Sequence, residues 1–316
     1  LRGVDRYSAD MLVFTHPACL EHNPGIDHPE SPERLRAVIS ALQDAFPHQL
    51  QWREAPAAKL GELSAVHSRE LIDNILQVQT APLRRIDLDT FASSGSAGAA
   101  VHAAGAGVAA VDAVMLERDH NRAFCAVRPP GHHATADTAM GFCLFNNVAV
   151  AAAYARDKYG LERIAIVDFD VHHGNGTQAI FEADPKVAYY STHQSGLFPY
   201  SGNMRERGVG NICNILLPPG SDSFRFRNTW ADDMLPQIDA FRPQLLLISA
   251  GFDAHRGDPQ ADLMVETEDF AWLTTELVAI ANRHGGRRVV SMLEGGYDLH
   301  ALGECSVAHV GALLAP

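Results

Sequence analysis

A single α/β domain with a central parallel sheet flanked by helices is the fold class this sequence predicts, on three observations. Short apolar runs alternate with longer helical stretches along all 316 residues, the pattern of a parallel sheet wrapped by helices. Several runs are apolar on consecutive residues, as suits strands covered on both faces. No internal repeat, charge block or Pro/Ser-rich linker divides the chain, so one domain spanning 1–316 is expected, although the length would also allow two.

The elements follow in order. Met11–Thr15 is an apolar strand, and Ser31–Ala45 is a helix opened by a Ser-Pro start signal. Helices are expected over Ser64–Gln79 and Ala97–Leu116; the second carries His102, Asp112 and several glycines, and reads as an Ala-rich buried helix and not a membrane span. Ala123–Val127 is a strand, and Asn146–Tyr159 is a helix that Gly160 ends. Strands Ile164–Phe169, Val187–Ser191 and Asn211–Leu216 follow, with a helix at Thr177–Ala183 after the first. The last units are a helix at Phe224–Phe241, a strand at Gln244–Ser249, a helix at Thr267–His284 closed by Gly285-Gly286, and a strand at Arg288–Leu293.

A hydrophobic share of 47% with 20% charged residues supports a substantial buried core. The formal net charge of −13 argues against binding nucleic acid or an anionic membrane, which both need clustered Lys and Arg. Five dispersed cysteines with no CxxC pair fit neither a disulfide framework nor a thiolate zinc site. A reducing compartment, cytoplasmic by default, is expected. A homo-oligomer is compatible with the sequence.

Three strands end in reactive residues: Asp168-Phe169-Asp170-Val171-His172-His173, Ala250-Gly251-Phe252-Asp253 and Glu294-Gly295-Gly296-Tyr297. Ligands of open parallel sheets sit beyond the carboxyl ends of the strands, so these loops converge on one candidate site. Asp170 and His172, two apart in an extended segment, project from the same face and reach one ion. Asp253 supplies a third ligand, leaving a fourth position for water, the pattern of a catalytic zinc. An isolated Asp-x-His more often caps a helix; the other two strand ends tip the balance here. The Gly174-Asn175-Gly176 turn lacks the spacing and the Lys of a phosphate loop.

His132-His133 follow Pro129-Pro130-Gly131, a kink that turns neighbouring imidazoles to the same side. Each needs a partner to fix its tautomer, and Asp168 and Asn175 are of the right kind. A carboxylate raises its histidine's pKa whereas an amide mainly orients, so the two imidazoles are expected to differ in protonation. Tyr297, after two glycines, is placed to donate to a developing oxyanion.

Taken together, RPPGHH (128–133), GFC (141–143), VDFDVHHGNGTQ (167–178), SAGFDAHRGDP (249–259) and LEGGYD (293–298) resemble the zinc-dependent histone deacetylase superfamily. The HHGNG form and the early HNPGIDHPESPERL (22–35) are similar to the class II branch and its bacterial amidohydrolase relatives. The resemblance implies an arginase/deacetylase-type fold with a narrow tunnel to one Zn²⁺ per chain, held by Asp170, His172 and Asp253. It implies that His132 pairs with Asp168, that His133 is general base and acid oriented by Asn175, and that Tyr297 polarises the acetyl carbonyl. Gly141, Phe142 and Phe198 would line the acyl-lysine tunnel, and Asp89 would hold the substrate backbone at the rim. Structural K⁺ is implied at two places: the backbone oxygens of Asp168, Asp170 and His172 with Ser191 match one site, and Phe181, Asp184 and Val187 match part of another.

The implied activity is hydrolysis of N-acetylated amines, acetyl-lysine side chains first and acetylpolyamines second. Polyamine deacetylases of the superfamily carry an acidic residue after the GDP motif where class II protein deacetylases usually have Leu; Gln260 here matches neither. An arginase-like two-metal site wants a carboxylate where Gly174 stands, which favours one metal. A catalytically dead acyl-lysine binder would lack a ligand, a dyad histidine or the tyrosine, and none is missing.

Overall fold

The computed structural model describes residues 11–77, 83–117 and 119–315. Strand β1 (Met11–Thr15) is followed by α1 (Ala18–Glu21), α2 (Pro32–Ala45) and β2 (Leu50–Glu54). Helices α3 (Leu60–Ser64) and α4 (Arg69–Leu76) precede the two-residue strands β3 (Arg84–Arg85) and β4 (Phe91–Ala92), then the long α5 (Ser96–Leu116). The middle of the chain runs β5 (Arg122–Cys125), α6 (Asn147–Tyr159), β6 (Ile164–Asp168), α7 (Asn175–Phe181), β7 (Val187–Gln194) and β8 (Ile212–Leu217). It closes with α8 (Ser223–Asn228), a π-helical turn at Thr229–Met234, α9 (Leu235–Phe241), β9 (Leu245–Ala250), α10 (Thr267–His284), β10 (Val289–Leu293) and α11 (Leu299–Leu314).

Eight of these strands form one sheet in the order β2-β1-β5-β10-β9-β6-β7-β8, and every pairing in it is parallel. Strands β5, β6, β7, β9 and β10 are buried at every position, because helices cover both faces. Helices α5 and α6 pack on each other, while α2, α10 and α11 form a separate packed group. The expected central parallel sheet flanked by helices is therefore present. Although α5 is long and apolar enough to cross a membrane, it is mostly buried inside the protein. Gly105 lets it approach the Pro56 backbone, where any Cβ would collide.

Three expectations differ from the structure. The helix expected at Ser64–Gln79 is two short helices, and residues 78 and 79 lie outside the described residues. Ser68 breaks it: its hydroxyl accepts the Leu71 amide as an N-cap, while neighbouring His67 bonds Thr135 O and the Asn146 amide. The helix expected at Phe224–Phe241 contains the π-helical turn, where the Leu235 amide reaches Trp230 O. Pro236 has no N–H to continue an α-helical ladder, and the wider turn absorbs the missing bond. Strand β2 and helices α1, α3 and α11 were not expected; α11 is apolar nearly all round and shows no amphipathic period.

Candidate active site

Register brings the three reactive loops together. Asp168 at the end of β6 pairs with Ser249 on β9, and Ser249 pairs with Met292 on β10. The residues just beyond, Asp170 and His172, Asp253, and Gly295, thus emerge side by side at the carboxyl edge. His172 Nδ1 lies 3.0 Å from Asp170 Oδ1 and 3.1 Å from Asp253 Oδ2. Ligand atoms of the three residues all fall within 4.8 Å of one another.

Backbone amides aim the carboxylates. Asp170 accepts from His172 N at 2.9 Å and Gly295 N at 2.8 Å, and Asp253 accepts from Val171 N at 2.8 Å. A Cβ on Gly251 would fall on the Asp170 carboxylate, and one on Gly295 would fall on both carboxylates. Only glycine lets the backbone come so near. Burial would lower the pKa of His172, but its bonds to Asp170 and Asp253 outweigh this and raise it to about 10. Two buried carboxylates facing one imidazole nitrogen make a cradle that favours positive charge, and this N,O,O set fits a zinc ion.

The histidine pair sits behind this cradle. His132 Nδ1 is 3.0 Å from Asp168 Oδ2, His133 Nδ1 is 2.8 Å from Asn175 Oδ1, and the two rings are 4.0 Å apart. Burial opposes charge on His132, yet the Asp170 and Asp168 carboxylates hold its pKa well above the usual value. Burial, together with the neighbouring His132 and His172, pushes His133 well below it. The shifts run in opposite directions, as the unlike partners suggested.

Tyr297 packs its ring 5.8 Å from Phe142, with the Arg34 guanidinium 4.7 Å over its face. Burial and the Asp253 and Asp170 carboxylates raise its phenol well above the usual range against the pull of Arg34, so it stays a proton donor. Phe142 holds φ at +67°, an unfavourable conformation for a bulky residue. It lies 4.8 Å from His28 and donates its amide to Thr90 Oγ1 at 3.0 Å. Phe198 meets His133 edge-on at 5.0 Å, and Gly141 (φ +56°) abuts both rings, where a Cβ would strike each of them. Asp89 is half-buried beside this wall, its carbonyl accepting from His28 Nε2 at 3.0 Å.

The residues matched to potassium fall in two places. Asp168 pairs with Ser191 across β6 and β7, with Asp170 and His172 directly following. Phe181, Asp184 and Val187 lie where α7 turns into β7, and their three carbonyls accept from Asn211 Nδ2 at 2.7, 2.9 and 2.7 Å.

Sequence reasoning missed several supports. Glu294 accepts the amides of Gly131 at 2.6 Å and His132 at 3.1 Å and the Ser249 hydroxyl at 3.1 Å, tying the histidine loop to β10. Burial raises its pKa to about 7. Tyr189 donates to Asp168 Oδ2 at 2.9 Å and accepts the Gly174 amide at 3.0 Å. Glu30, fully buried, binds Arg128 at 2.6 Å and Arg34 at 3.1 Å, with His22 Nε2 3.3 Å away. Arg34 also donates to Gly296 O at 2.5 Å and Glu294 O at 2.6 Å, fixing the loop that carries Tyr297. Glu30, Arg34 and Glu294 had a place inside the recognised motifs as their only signal, and Tyr189 lay outside those motifs. His173, next to the candidate ligand His172, is a satisfied core histidine between Ser201 Oγ at 2.8 Å and Gln178 Oε1 at 2.9 Å.

The histone deacetylase domain family matches residues 28–313 of this chain. The histone deacetylase-like amidohydrolase of Pseudomonas aeruginosa is 38% identical over 292 residues, covering 90% of this chain and 77% of that protein. Human polyamine deacetylase HDAC10 is 38% identical over 326 residues, covering 97% of this chain and 46% of that protein. The crystal structure of the HDA15 HD domain superposes with a TM-score of 0.91 at 34% identity, covering 96% of this chain and 89% of that one. With this coverage, and with the sheet and the buried Asp-His-Asp group in place, the chain belongs to the histone deacetylase family and is a deacetylase.

Proposed function

We propose that the chain hydrolyses the amide of acetylated lysine side chains with one zinc ion held by Asp170, His172 and Asp253. The observation that carries this reading is the placement of the metal cradle, the His132-His133 pair and Tyr297 at one edge of the sheet. Zinc bound there would supply a Lewis acid for the carbonyl and a more acidic water. His133, kept neutral and oriented by Asn175, takes a proton from the attacking water. Oxygen bonds to the carbonyl carbon, and the oxyanion that develops accepts a hydrogen bond from the Tyr297 phenol. The C–N bond then breaks as the histidinium returns its proton to the leaving nitrogen, giving acetic acid and the amine, which leave as acetate and ammonium once the carboxyl proton passes to the amine. His132, paired to Asp168, stays charged and opposes a second positive charge on His133, so the histidinium formed there gives up its proton readily to the leaving nitrogen.

Phe142, Phe198 and Gly141 form thin walls beside the pair, suited to a methylene stem, and Asp89 stands at the rim to take a substrate backbone amide. We place the site of action in the cytoplasm and a structural K⁺ at the Asp168, Asp170, His172 and Ser191 set.

A second reading is deacetylation of polyamines, favoured by the likeness to human polyamine deacetylase HDAC10. Gln260 speaks for the first. Its backbone N–H donates to Asp258 Oδ1, whose Oδ2 accepts the Tyr297 backbone N–H, so it is tied to the Tyr297 loop without a charge to pair with a free ammonium. Rates on acetyl-lysine peptides and acetylpolyamines, measured with zinc-loaded protein, decide the matter. A peptide preference of about a hundredfold in kcat/KM, worth ~2.7 kcal/mol, is expected; the reverse preference makes the protein a polyamine deacetylase.

A further inference from the structure

We infer that the side-chain amide of Asn211 takes the place of the second structural cation, so that this chain binds no K⁺ at Phe181, Asp184 and Val187. The three carbonyls that the family resemblance matched to a potassium site converge on one atom here, and that atom is Asn211 Nδ2. The amide orientation is fixed from its other end: Asn211 Oδ1 accepts the Val209 amide at 3.2 Å. Gly208, at φ +54°, presses against the same oxygen, where a Cβ would lie 2.5 Å away. Asn211 is itself buried, and its backbone carbonyl accepts the Tyr189 amide at 2.8 Å, so it enters from the sheet edge and not from solvent.

The chemistry of the replacement is direct. A monovalent cation in such a ring neutralises carbonyl dipoles that converge on a point. An amide NH₂ carries only two hydrogens, so among three oxygens it shares them and acts as a diffuse centre of partial positive charge. Nitrogen and ion cannot both hold the point of convergence. The substitution matters for the site because the turn it clasps joins α7, which starts at Asn175, to β7, which carries Tyr189 and Ser191. A covalently attached donor holds that turn whatever the salt. This reading concerns only the chain's packing and stands whether or not the proposed substrate is right.

Crystals of the zinc-loaded protein grown with thallium(I) acetate in place of potassium test it through anomalous scattering. No anomalous peak is expected within bonding distance of the Phe181, Asp184 and Val187 carbonyls in the parent protein, and the Asn211 amide should stand in density there. A thallium peak at those carbonyls with Asn211 turned away would overturn the inference. An Asn211→Ala variant should bind thallium at this point, and its Tm should climb between about 5 and about 150 mM KCl more steeply than the parent's, as expected when a ligand binds only the folded state. Equal KCl dependence of the two Tm values also counts against it, and should the variant fail to fold, the parent crystal alone decides.

Discussion

At Tyr297 a single phenol is held from three directions: Phe142 meets its ring, Arg34 lies over its face, and Asp258 accepts its backbone amide at 2.6 Å. Such restraint is expected of a donor that must meet a charge present only in the transition state. Tyr297→Phe should lower kcat by about 10²–10³, the scale of losing one oxyanion donor, with zinc content by atomic absorption unchanged. Unaltered turnover would remove Tyr297 from the mechanism. Most such residues were legible one at a time in the sequence, because the chemistry of Asp, His and Tyr is written in their side chains. Glu30, Arg34 and Glu294 were not, although they lie inside quoted motifs. Their role depends on long-range partners, such as Arg34 reaching Gly296 O across 262 positions, and no local pattern announces that pairing.

Elements were legible where their periodicity was simple and obscure where tertiary contacts override it. Strands β6, β9 and β10 fell within a residue or so of expectation, since five or six consecutive buried and mostly apolar positions have few other readings. The break between α3 and α4 was hidden because it is imposed by distant groups: His67 is drawn to Thr135 and Asn146, and the chain restarts its helix at Ser68. Ser68→Ala removes the hydroxyl that accepts the Leu71 amide at 3.3 Å. This change should cost about 1 kcal/mol, the usual value of an N-cap, read from urea denaturation; no change would show that α4 is held by its buried Leu71, Ile72 and Ile75 alone. The π-helical turn was likewise beyond sequence reasoning, although Pro236 was visible. A proline says that a helix must adjust, not which adjustment the surroundings accept.

On the scale of the whole molecule, burial of titratable groups sets how the protein responds to acid. His309 is wholly buried between Thr274 Oγ1 at 2.6 Å and Ser291 Oγ at 2.7 Å, and burial lowers its pKa to about 3. The unfolded chain gains this proton near pH ~6.5, the folded one only far below. Stability contributed above that ordinary value is therefore lost as pH falls, by roughly 1.4 kcal/mol per pH unit over the interval. His309→Gln should flatten the pH dependence of unfolding free energy by about one proton between pH ~6 and ~4.5, and parallel curves for the two proteins would refute it. The order of the strands carries a different consequence, one that concerns time. Strand β10 is the last strand of the sheet to be synthesised, yet it lies in the middle of the sheet between β5 and β9. Until it emerges from the ribosome, β2-β1-β5 and β9-β6-β7-β8 are separate blocks with open apolar edges. The histidine pair follows a strand of one block and the metal donors follow strands of the other. A nascent chain that has made Asp253 thus holds the histidine pair and the metal donors without owning an active site, and it gains one only when residues 289–297 join the halves.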